Sequence, residues 1–389
     1  MAKRLRIALL IESSRAFGRD LLCGIAAYAK TYGPWTFIHQ ERSINDPIPL
    51  GLMQWKPDGL IVRIVDSKIG RQIRRLGIPT VDLLRENPEM GFPRVYPNQE
   101  KLVVLAVDHL LHRRLRHLAY VGYCGVKFSE DRRELFLNYL ETKKYTGYIY
   151  EDGGPQDAIG LAVTQRKSLR QSRKLAAWIR GLPKPVGIFA CNDMRAYQVL
   201  VACAEYGIAV PDAVSIIGVD NDPVLCELSN PPLSSIDPNT KKIGYKGAAM
   251  LKELIEGRFV PDEILVDPAG VISRHSTEIL AVPDADFAEV VRYIREHACG
   301  GLTMEALIEH AGISRSTLER WFAKNLGHSP SAEITRVKVE RVKELLAISN
   351  LALDEIARLV GFTHLETMFR VFKKFTGQTP GEYRKTMRT

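Results

Sequence analysis

Short apolar segments alternate with amphipathic helical segments up to about residue 276, and this alternation limits the folds open to the chain. Alternating strands and helices are typical of parallel sheets built from βα units. The predicted strands are 6–11, 35–38, 59–65, 80–83, 117–122, 146–150, 186–190 and 214–218. The predicted helices are 20–31, 99–113, 132–142, 168–180, 194–206 and 241–256. Because these strands are too many for one small α/β half, the pattern predicts two such halves in tandem.

The strand pattern stops near residue 282, and helical patterns continue to the end of the chain. The stretch 279–286 (ILAVPDAD) contains Pro283 and predicts a short hinge between domains. We therefore predict an α/β domain at 1–282, in which the chain passes between two lobes near residues 117 and 236. An all-α domain follows at 283–389.

Two segments of the helical tail repeat one pattern around a glycine. Glycine permits a sharp turn, the apolar positions hold two helices together, and a Ser or Thr can cap the second helix. The matching residues are Leu307, Ala311, Gly312, Ile313 and Ser314 in the first segment and Ile356, Val360, Gly361, Phe362 and Thr363 in the second. A single helix–Gly–helix corner is common in helical proteins, but the tandem pair predicts helix-turn-helix units at 302–326 and 353–376.

Positive charge is concentrated in this tail. The chain has a net charge of +9 and a pI near 9.2, and residues 313–389 carry fourteen Lys and Arg against eight acids. A predicted helix at 329–349 joins the two units, and about 21 residues at 1.5 Å each give it a length of roughly 31 Å. Successive major-groove faces of B-DNA lie about 34 Å apart, so this helix suits the placement of two recognition helices in adjacent grooves.

Residues 284–389, which close with FKKFTGQTPGEYRK, resemble the DNA-binding domain of AraC-type bacterial regulators. The resemblance implies a seven-helix domain that binds double-stranded operator or promoter DNA. Arginine can read guanine, glutamate can accept from cytosine, and threonine can meet a thymine methyl group. The two glutamates have an alternative role as solvated or capping residues. The implied DNA-binding residues are Arg315, Ser316, Glu319, Arg320, Leu365, Glu366, Thr367 and Arg370. Lys373 and Lys374 are predicted to contact phosphates, with the alternative that they only keep a helix face hydrated.

Residues 5–276 resemble the periplasmic-binding-protein and LacI-type sensor fold, in which a ligand lies between two α/β lobes. Ligands of open α/β sheets bind beyond the carboxyl ends of strands, where this chain has polar clusters at 12–19, 128–132, 192–195 and 220–222. A sugar needs charged groups for its hydroxyls and an aromatic face for its C–H side. Asp and Asn after a strand can instead form caps and turns. The predicted ligand-binding residues are Glu12, Phe17, Arg19, Phe128, Arg132, Asp193, Arg195 and Asp220.

A sensor of this kind followed by an AraC-type tail resembles regulators of the xylose operon type, through stretches such as IALLIESSRAFGRDLLCGI, IIGVDND and PPLSSI. The resemblance implies D-xylose or a related sugar as effector, a homodimer formed through the sensor, sugar-dependent activation and RNA polymerase as a further partner. Such sensors often have an Asp after the strand at Val95, where this chain reads Val95-Tyr96-Pro97-Asn98. The alternatives are a regulator that responds to a non-pentose small molecule and a solute-binding protein.

Several other classes of protein are disfavoured by the sequence. It contains no GxxxxGK[ST] loop, no GxGxxG after the first strand, no GxSxG and no HExxH, so we predict no enzyme activity and no cofactor. Its six cysteines are scattered without a C-x-x-C, which predicts reduced thiols and no metal site. No apolar run approaches 18 residues, so we predict no membrane partner and a cytoplasmic protein.

Overall fold

Two sheets form the scaffold of the first compact unit, Met1–Ala281. The computed structural model describes residues 4–41, 46–49, 51–152, 165–278 and 285–388. In lobe 1 the strands are β1 (Leu5–Leu10), β2 (Trp35–His39), β3 (Gly59–Val62), β4 (Thr80–Asp82), β5 (Arg94–Pro97) and β11 (Glu263–Val266). In lobe 2 they are β6 (His117–Tyr123), β7 (Gly147–Asp152), β8 (Val186–Ala190), β9 (Val214–Val219), β10 (Ser234–Asp237) and β12 (Gly270–Ile272). The predicted two-lobed α/β fold is confirmed.

The two sheets repeat one topology. Among the described residues the strand orders are β11-β5-β4-β3-β1-β2 and β12-β10-β9-β8-β6-β7. Neighbouring strands are parallel, apart from β12, which runs antiparallel to β10. The order reverses between β1 and β3 in lobe 1 and between β6 and β8 in lobe 2, and ligands of such sheets bind at this reversal.

Helices cover both faces of each sheet. They are α1 (Ala16–Tyr32), α2 (Leu52–Trp55), α3 (Ser67–Arg75), α4 (Gln99–His112), α5 (Lys127–Thr142), α6 (Gln165–Gly181), α7 (Asp193–Glu205), α8 (Pro223–Leu228) and α9 (Thr240–Ile255). In β1, Ile7 and Leu9 pack in the core with α1 and α9, whereas Ala8 and Leu10 pack on the opposite face with α2 and α3. Burial on both faces explains why the strands read as continuous apolar runs.

The chain passes between the lobes three times in the described residues. The first passage comes at Asn98 and not near residue 117 as predicted, because Leu102, Val103 and Ala106 of α4 pack in the core of lobe 2. The second passage, between β10 and α9, lies close to the predicted residue 236. The third, between β11 and β12, was not predicted, and it returns the end of the sensor to lobe 2.

The second compact unit, Val282–Thr389, is helical. Within 285–388 its seven α-helices are α10 (Ala285–His297), α11 (Met304–Ala311), α12 (Arg315–Leu326), α13 (Pro330–Ile348), α14 (Leu353–Leu359), α15 (Leu365–Thr376) and α16 (Pro380–Arg388). The joining helix α13 has 19 residues, slightly fewer than predicted. Its length is about 28 Å. The predicted hinge at 279–286 lies mostly outside the described residues.

No described helix combines the length and the apolar character that a membrane crossing requires.

Two glycines allow α1 and α9 to pack with their backbones in close contact. A Cβ atom placed on Gly24 would lie 1.9 Å from the carbonyl oxygen of Lys241, and one on Gly244 would lie 2.1 Å from that of Leu21. Real Cβ atoms do not approach backbone this closely, so any larger residue must push the helices apart.

Replacing either glycine is therefore expected to destabilise lobe 1. We expect Gly24→Ala and Gly244→Ala each to lower the free energy of unfolding of the sensor by about 3 kcal/mol, the upper part of the range for overpacking. Chemical denaturation followed by circular dichroism measures this change. The control is Gly181→Ala, because no described atom outside its own helix turn lies within 4 Å of a Cβ at that position. Equal stability of all three variants would contradict the close packing.

Candidate ligand cleft and nucleic-acid interface

A cavity opens between the carboxyl ends of the two sheets. It encloses about 1000 Å³ of empty space, part of which is open solvent. Its walls include five of the eight predicted ligand-binding residues: Glu12, Phe17, Phe128, Arg132 and Asp220. Each lies in the loop or the first two helical turns after a strand, so the repeated topology brings residues far apart in sequence to one cleft.

The wall from lobe 1 contains a buried ion pair. Glu12 is 2% exposed and accepts a hydrogen bond from Arg63, while its second oxygen has no partner among the described residues. The Arg63 guanidinium lies 4.7 Å from the centre of the Phe17 ring, a cation–π contact. Burial lowers the pKa of Arg63 to about 10, although Asp220, Asp82 and Glu86 favour its charged form.

Asp220 stands at the end of β9 in an unusual backbone conformation. Its φ is 115°, and that of the next residue, Asn221, is 49°. Such angles are costly for residues other than glycine and are concentrated at functional sites. Burial raises the pKa of Asp220 to about 6, while Arg132, Arg63 and Arg15 oppose the rise. No group in the described parts of the chain donates a hydrogen bond to its carboxylate, so a ligand can use both oxygens.

The wall from lobe 2 is built on the first turns of α5. The side chain of Arg132 is buried, and it donates to Gln99 at 2.7 Å and to the carbonyl oxygen of Cys191. Its guanidinium lies 5.3 Å from the centre of the Phe128 ring. The arrangement mirrors the Arg63–Phe17 contact of lobe 1, so each lobe presents an arginine stacked on a phenylalanine.

The other three predicted ligand residues are used within the protein and do not line the cavity. Arg19 donates to the carbonyl oxygen of Ser13 at the surface. The buried Asp193 accepts hydrogen bonds from the Ser235 hydroxyl and from the backbone N–H of residue 222. Arg195 forms an ion pair with Asp152 and donates to the side chain of residue 198. The contacts of Asp193 and Arg195 lie within lobe 2, and that of Arg19 lies within lobe 1.

Several cavity residues were missed by the prediction. Arg63, Arg85 and Glu86 are the important ones, since they add charge to the wall from lobe 1. They follow β3 and β4, so their positions just after these strands could have identified them. Because the predicted strand at 59–65 ran three residues too far, Arg63 fell inside it. The remaining polar cavity residues are Ser14, Arg15, Tyr96, Gln99, Asp131 and Asn192.

In the tail, the predicted DNA-contacting residues lie on the second helix of each unit. Of these residues, the exposed ones are Arg315, Ser316, Glu319 and Arg320 on α12 and Glu366, Arg370, Lys373 and Lys374 on α15. Leu365 and Thr367 are half-buried. Arg315 donates to Glu319 at 3.0 Å. Because both helices bury their Leu or Met and Phe positions, their charged faces point away from the core.

The two units differ at the turn. Ser314 caps α12 as predicted by accepting from the backbone N–H of Thr317. The matching prediction for Thr363 is wrong, because α15 begins one residue later with His364 at its N-cap position and no side-chain cap. Gly361, in the left-handed region with φ of 70°, is followed by three residues before α15, whereas two separate Gly312 from α12. Because of this extra residue, Thr363 lies one position before the N-cap of α15.

Comparisons with known proteins agree with both units. A model of the periplasmic binding protein-like domain matches residues 107–277, and a model of the helix-turn-helix domain matches residues 307–386. The xylose operon regulatory protein of Escherichia coli strain K12 is 30% identical, over 98% of this chain and 97% of that protein.

The chain belongs to the family of xylose operon regulatory proteins.

Other comparisons extend this result. The xylose operon regulatory protein of Haemophilus influenzae is 29% identical over 97% of this chain and 98% of its own length. The solved structure of the xylose-binding transcription activator xylR superposes with a TM-score of 0.82 at 29% identity, over 99% of both chains. A lac repressor dimer bound to operator shares the sensor fold, with a TM-score of 0.55 at 18% identity over 71% of this chain and 82% of that one. The protein is therefore a DNA-binding transcription regulator, like its relatives.

A buried carboxylate stabilises the corner before α13 of this regulator. Glu333 is 2% exposed and accepts two hydrogen bonds from Arg336, at 2.9 and 2.8 Å, with His328 at 3.5 Å. Burial alone would raise the pKa of Glu333, but the guanidinium of Arg336 holds it below its usual range. The folded tail therefore favours the charged form of this group.

Stability of the tail should depend on pH through Glu333. A carboxylate with a lowered folded-state pKa stabilises the fold above its unfolded pKa and loses that contribution as pH falls through the folded value. We expect Glu333→Gln to cost about 2 kcal/mol at pH 7 and much less near pH 3, measured by urea denaturation. The control is Glu340→Gln on the same helix, where a half-exposed carboxylate pairs with Lys343. A cost for Glu333→Gln that is independent of pH would contradict this role.

Proposed function

We propose that a small neutral sugar, D-xylose or a close relative, binds in the cleft and controls DNA binding by the tail. The observation that carries the proposal is Asp220, a carboxylate on the cavity wall without a donor in the described structure. Vicinal hydroxyl groups of a sugar can donate to its two oxygens. Phe17 and Phe128 supply apolar surface for the C–H side of the ring. Since a relative that superposes over the full chain is described as xylose-binding, D-xylose is the first sugar to test.

The charges of the cleft favour a neutral ligand over a sugar acid or a sugar phosphate. Glu12 pairs with Arg63, and Arg85 pairs with Asp131 at 2.6 Å. Arg132 donates to Gln99 and to a carbonyl oxygen. The group left without a described donor is the acid Asp220, which attracts hydroxyl donors and repels a carboxylate or phosphate.

We further propose that Arg320 and Arg370 read base edges and that Lys373 and Lys374 contact phosphates. Arg315, Ser316, Glu319, Leu365, Glu366 and Thr367 complete the proposed contact surface of the two recognition helices. Arginine binds guanine O6 and N7 with two hydrogen bonds, whereas lysine contacts to phosphates carry no sequence information. In this proposal a homodimer brings four recognition helices to two half-sites.

Movement of lobe 2 is the proposed signal. Thr277, near the end of the sensor, bonds through its side chain to Ser234 at 2.7 Å and to His109 at 2.9 Å, and its carbonyl oxygen accepts from Arg113. These partners belong to lobe 2, so a sugar-driven shift of lobe 2 against lobe 1 would move the segment that leads to the tail. From the family we also propose activation in contact with RNA polymerase, and we propose a cytoplasmic location because the regulator acts on DNA. We assign no catalytic role to the cleft.

The first experiment is calorimetric titration of the protein with D-xylose, other pentoses, hexoses, D-xylonate and a sugar phosphate. We expect one neutral sugar to bind, and Asp220→Asn to weaken it because an amide cannot accept at both atoms. Below pH 6 the affinity should fall up to about tenfold per pH unit as Asp220 is protonated, and this slope should be absent in Asp220→Asn. Tighter binding of D-xylonate or the sugar phosphate, or no detectable binding of any sugar, would refute a neutral sugar effector.

The DNA contacts are tested by fluorescence anisotropy on an operator selected from random sequences. We expect Arg320→Ala and Arg370→Ala each to cost about 2 kcal/mol on the operator and to relax base preference at one position. Lys373→Ala should weaken operator and scrambled DNA alike and lower the salt slope by about 1.

The matched control is Arg358→Ala, because this exposed arginine lies on the first helix of the second unit and pairs with Asp354. If Arg320→Ala weakened all DNA sequences equally, the arginine would be a phosphate contact and its proposed role as a base reader would be wrong.

A further inference from the structure

Two side chains that follow β4 reach across the cleft from lobe 1 to lobe 2. The carboxylate of Glu86 accepts hydrogen bonds from the backbone N–H groups of Lys127 at 2.9 Å and Phe128 at 3.1 Å. Arg85, its neighbour, donates to Asp131 at 2.6 Å. All three partners lie in the first two turns of α5, so one short segment of lobe 1 is bound to one helix end of lobe 2.

The helix end that Glu86 binds has no cap of its own. Val126 occupies the N-cap position of α5, and its side chain offers no acceptor. The first N–H groups of a helix need acceptors and carry partial positive charge, so a carboxylate there is favourable. Glu86, which lies 41 positions away and in the other lobe, provides the capping acceptor that a local Ser or Asp side chain provides at other helices of this chain.

Asp131 strengthens the same contact. One oxygen accepts from Arg85 and the other from Lys127, each at 2.6 Å, and the side chain is only 13% exposed. Partly buried ion pairs are screened less than surface pairs. The latch, which we define as Arg85 and Glu86 with Lys127, Phe128 and Asp131, thus joins the lobes through charged and backbone groups.

We propose that Glu86 is a positioning residue that holds the lobes closed around the cleft before the effector arrives. Its contact with the start of α5 also fixes Phe128 and Arg132 on the cavity wall, on the same helix. The consequence for sugar affinity depends on the proposed function, whereas the closed arrangement of the lobes does not. If only a fraction of molecules is closed, the apparent dissociation constant rises in inverse proportion to that fraction.

The distance between the lobes can be measured without any sugar. In the full chain, one spin label is placed on the exposed Cys23 of lobe 1 and another on Glu141→Cys at the far end of α5, with Cys124→Ser and Cys299→Ser to remove other reactive thiols. Pulsed electron spin resonance then gives the distribution of distances. We expect a narrow distribution for the otherwise unchanged chain and a broader, longer one for Glu86→Ala, with Glu86→Gln between them.

Arg85→Ala, which leaves the helix cap in place, is the second variant and should shift the distances less than Glu86→Ala. Glu89→Ala is the control, because this exposed acid lies three residues from Glu86 and should leave the distances unchanged. Thermal denaturation distinguishes a latch between the lobes from a contact that only stabilises the start of α5. A lower melting temperature of Glu86→Ala with an unchanged distance distribution would overturn the proposal.

Sugar titration adds a second readout. If a sugar binds, Glu86→Ala should raise its dissociation constant about tenfold by reducing the closed fraction, with the loss mainly in a faster dissociation rate. An affinity equal to that of the unchanged chain would overturn the latch. If no sugar binds the unchanged chain, the proposed function fails, and the sugar-free distances still decide whether the latch exists.

Discussion

Pairing of buried charges is the constraint on which the cleft depends. A charge removed from water costs several kcal/mol unless a partner replaces the lost hydration. Arg63 meets this cost through Glu12 and the face of Phe17, and Arg132 meets it through Gln99 and a carbonyl oxygen. The chain can therefore place several ionised groups beside one cavity. Asp220 is the exception in the described structure, since no described group donates to its carboxylate, and this is the reason why we propose a donor-rich ligand for the cleft.

The fold was predictable wherever strands were long and apolar. The eight predicted strands correspond to strands of the two sheets, but β5, β10, β11 and β12 were not among them. These four have only three or four residues, as do β3 and β4, but their place at or beside sheet edges depends on partners distant in sequence. The start of α5 was placed five residues late for a related reason. Its N-terminus is capped by Glu86, and a local sequence pattern cannot predict a cap that comes from another lobe.

Prediction of a position on the cavity wall succeeded for Glu12 and Asp220 because the ends of parallel strands must meet at one edge, whereas their binding of a ligand stays a prediction. It failed for Asp193 and Arg195, since a polar residue after a strand can serve the interior of its own lobe equally well. In the tail, the repeated glycine pattern predicted both helix-turn-helix units. It did not reveal the extra turn residue before α15, because His364 can replace Thr363 at the N-cap position without disturbing the apolar pattern.

The three passages between the lobes have a consequence for the order in which the protein can fold during synthesis. The sheet of lobe 1 is completed only by β11 at Glu263–Val266, and that of lobe 2 only by β12 at Gly270–Ile272. Until these segments leave the ribosome, β5 and β10 each present an unpaired edge, the kind of surface that chaperones cover and that aggregates form on. Neither lobe can finish folding much before the other. The nascent chain thus completes its sensor shortly before the recognition helices are made.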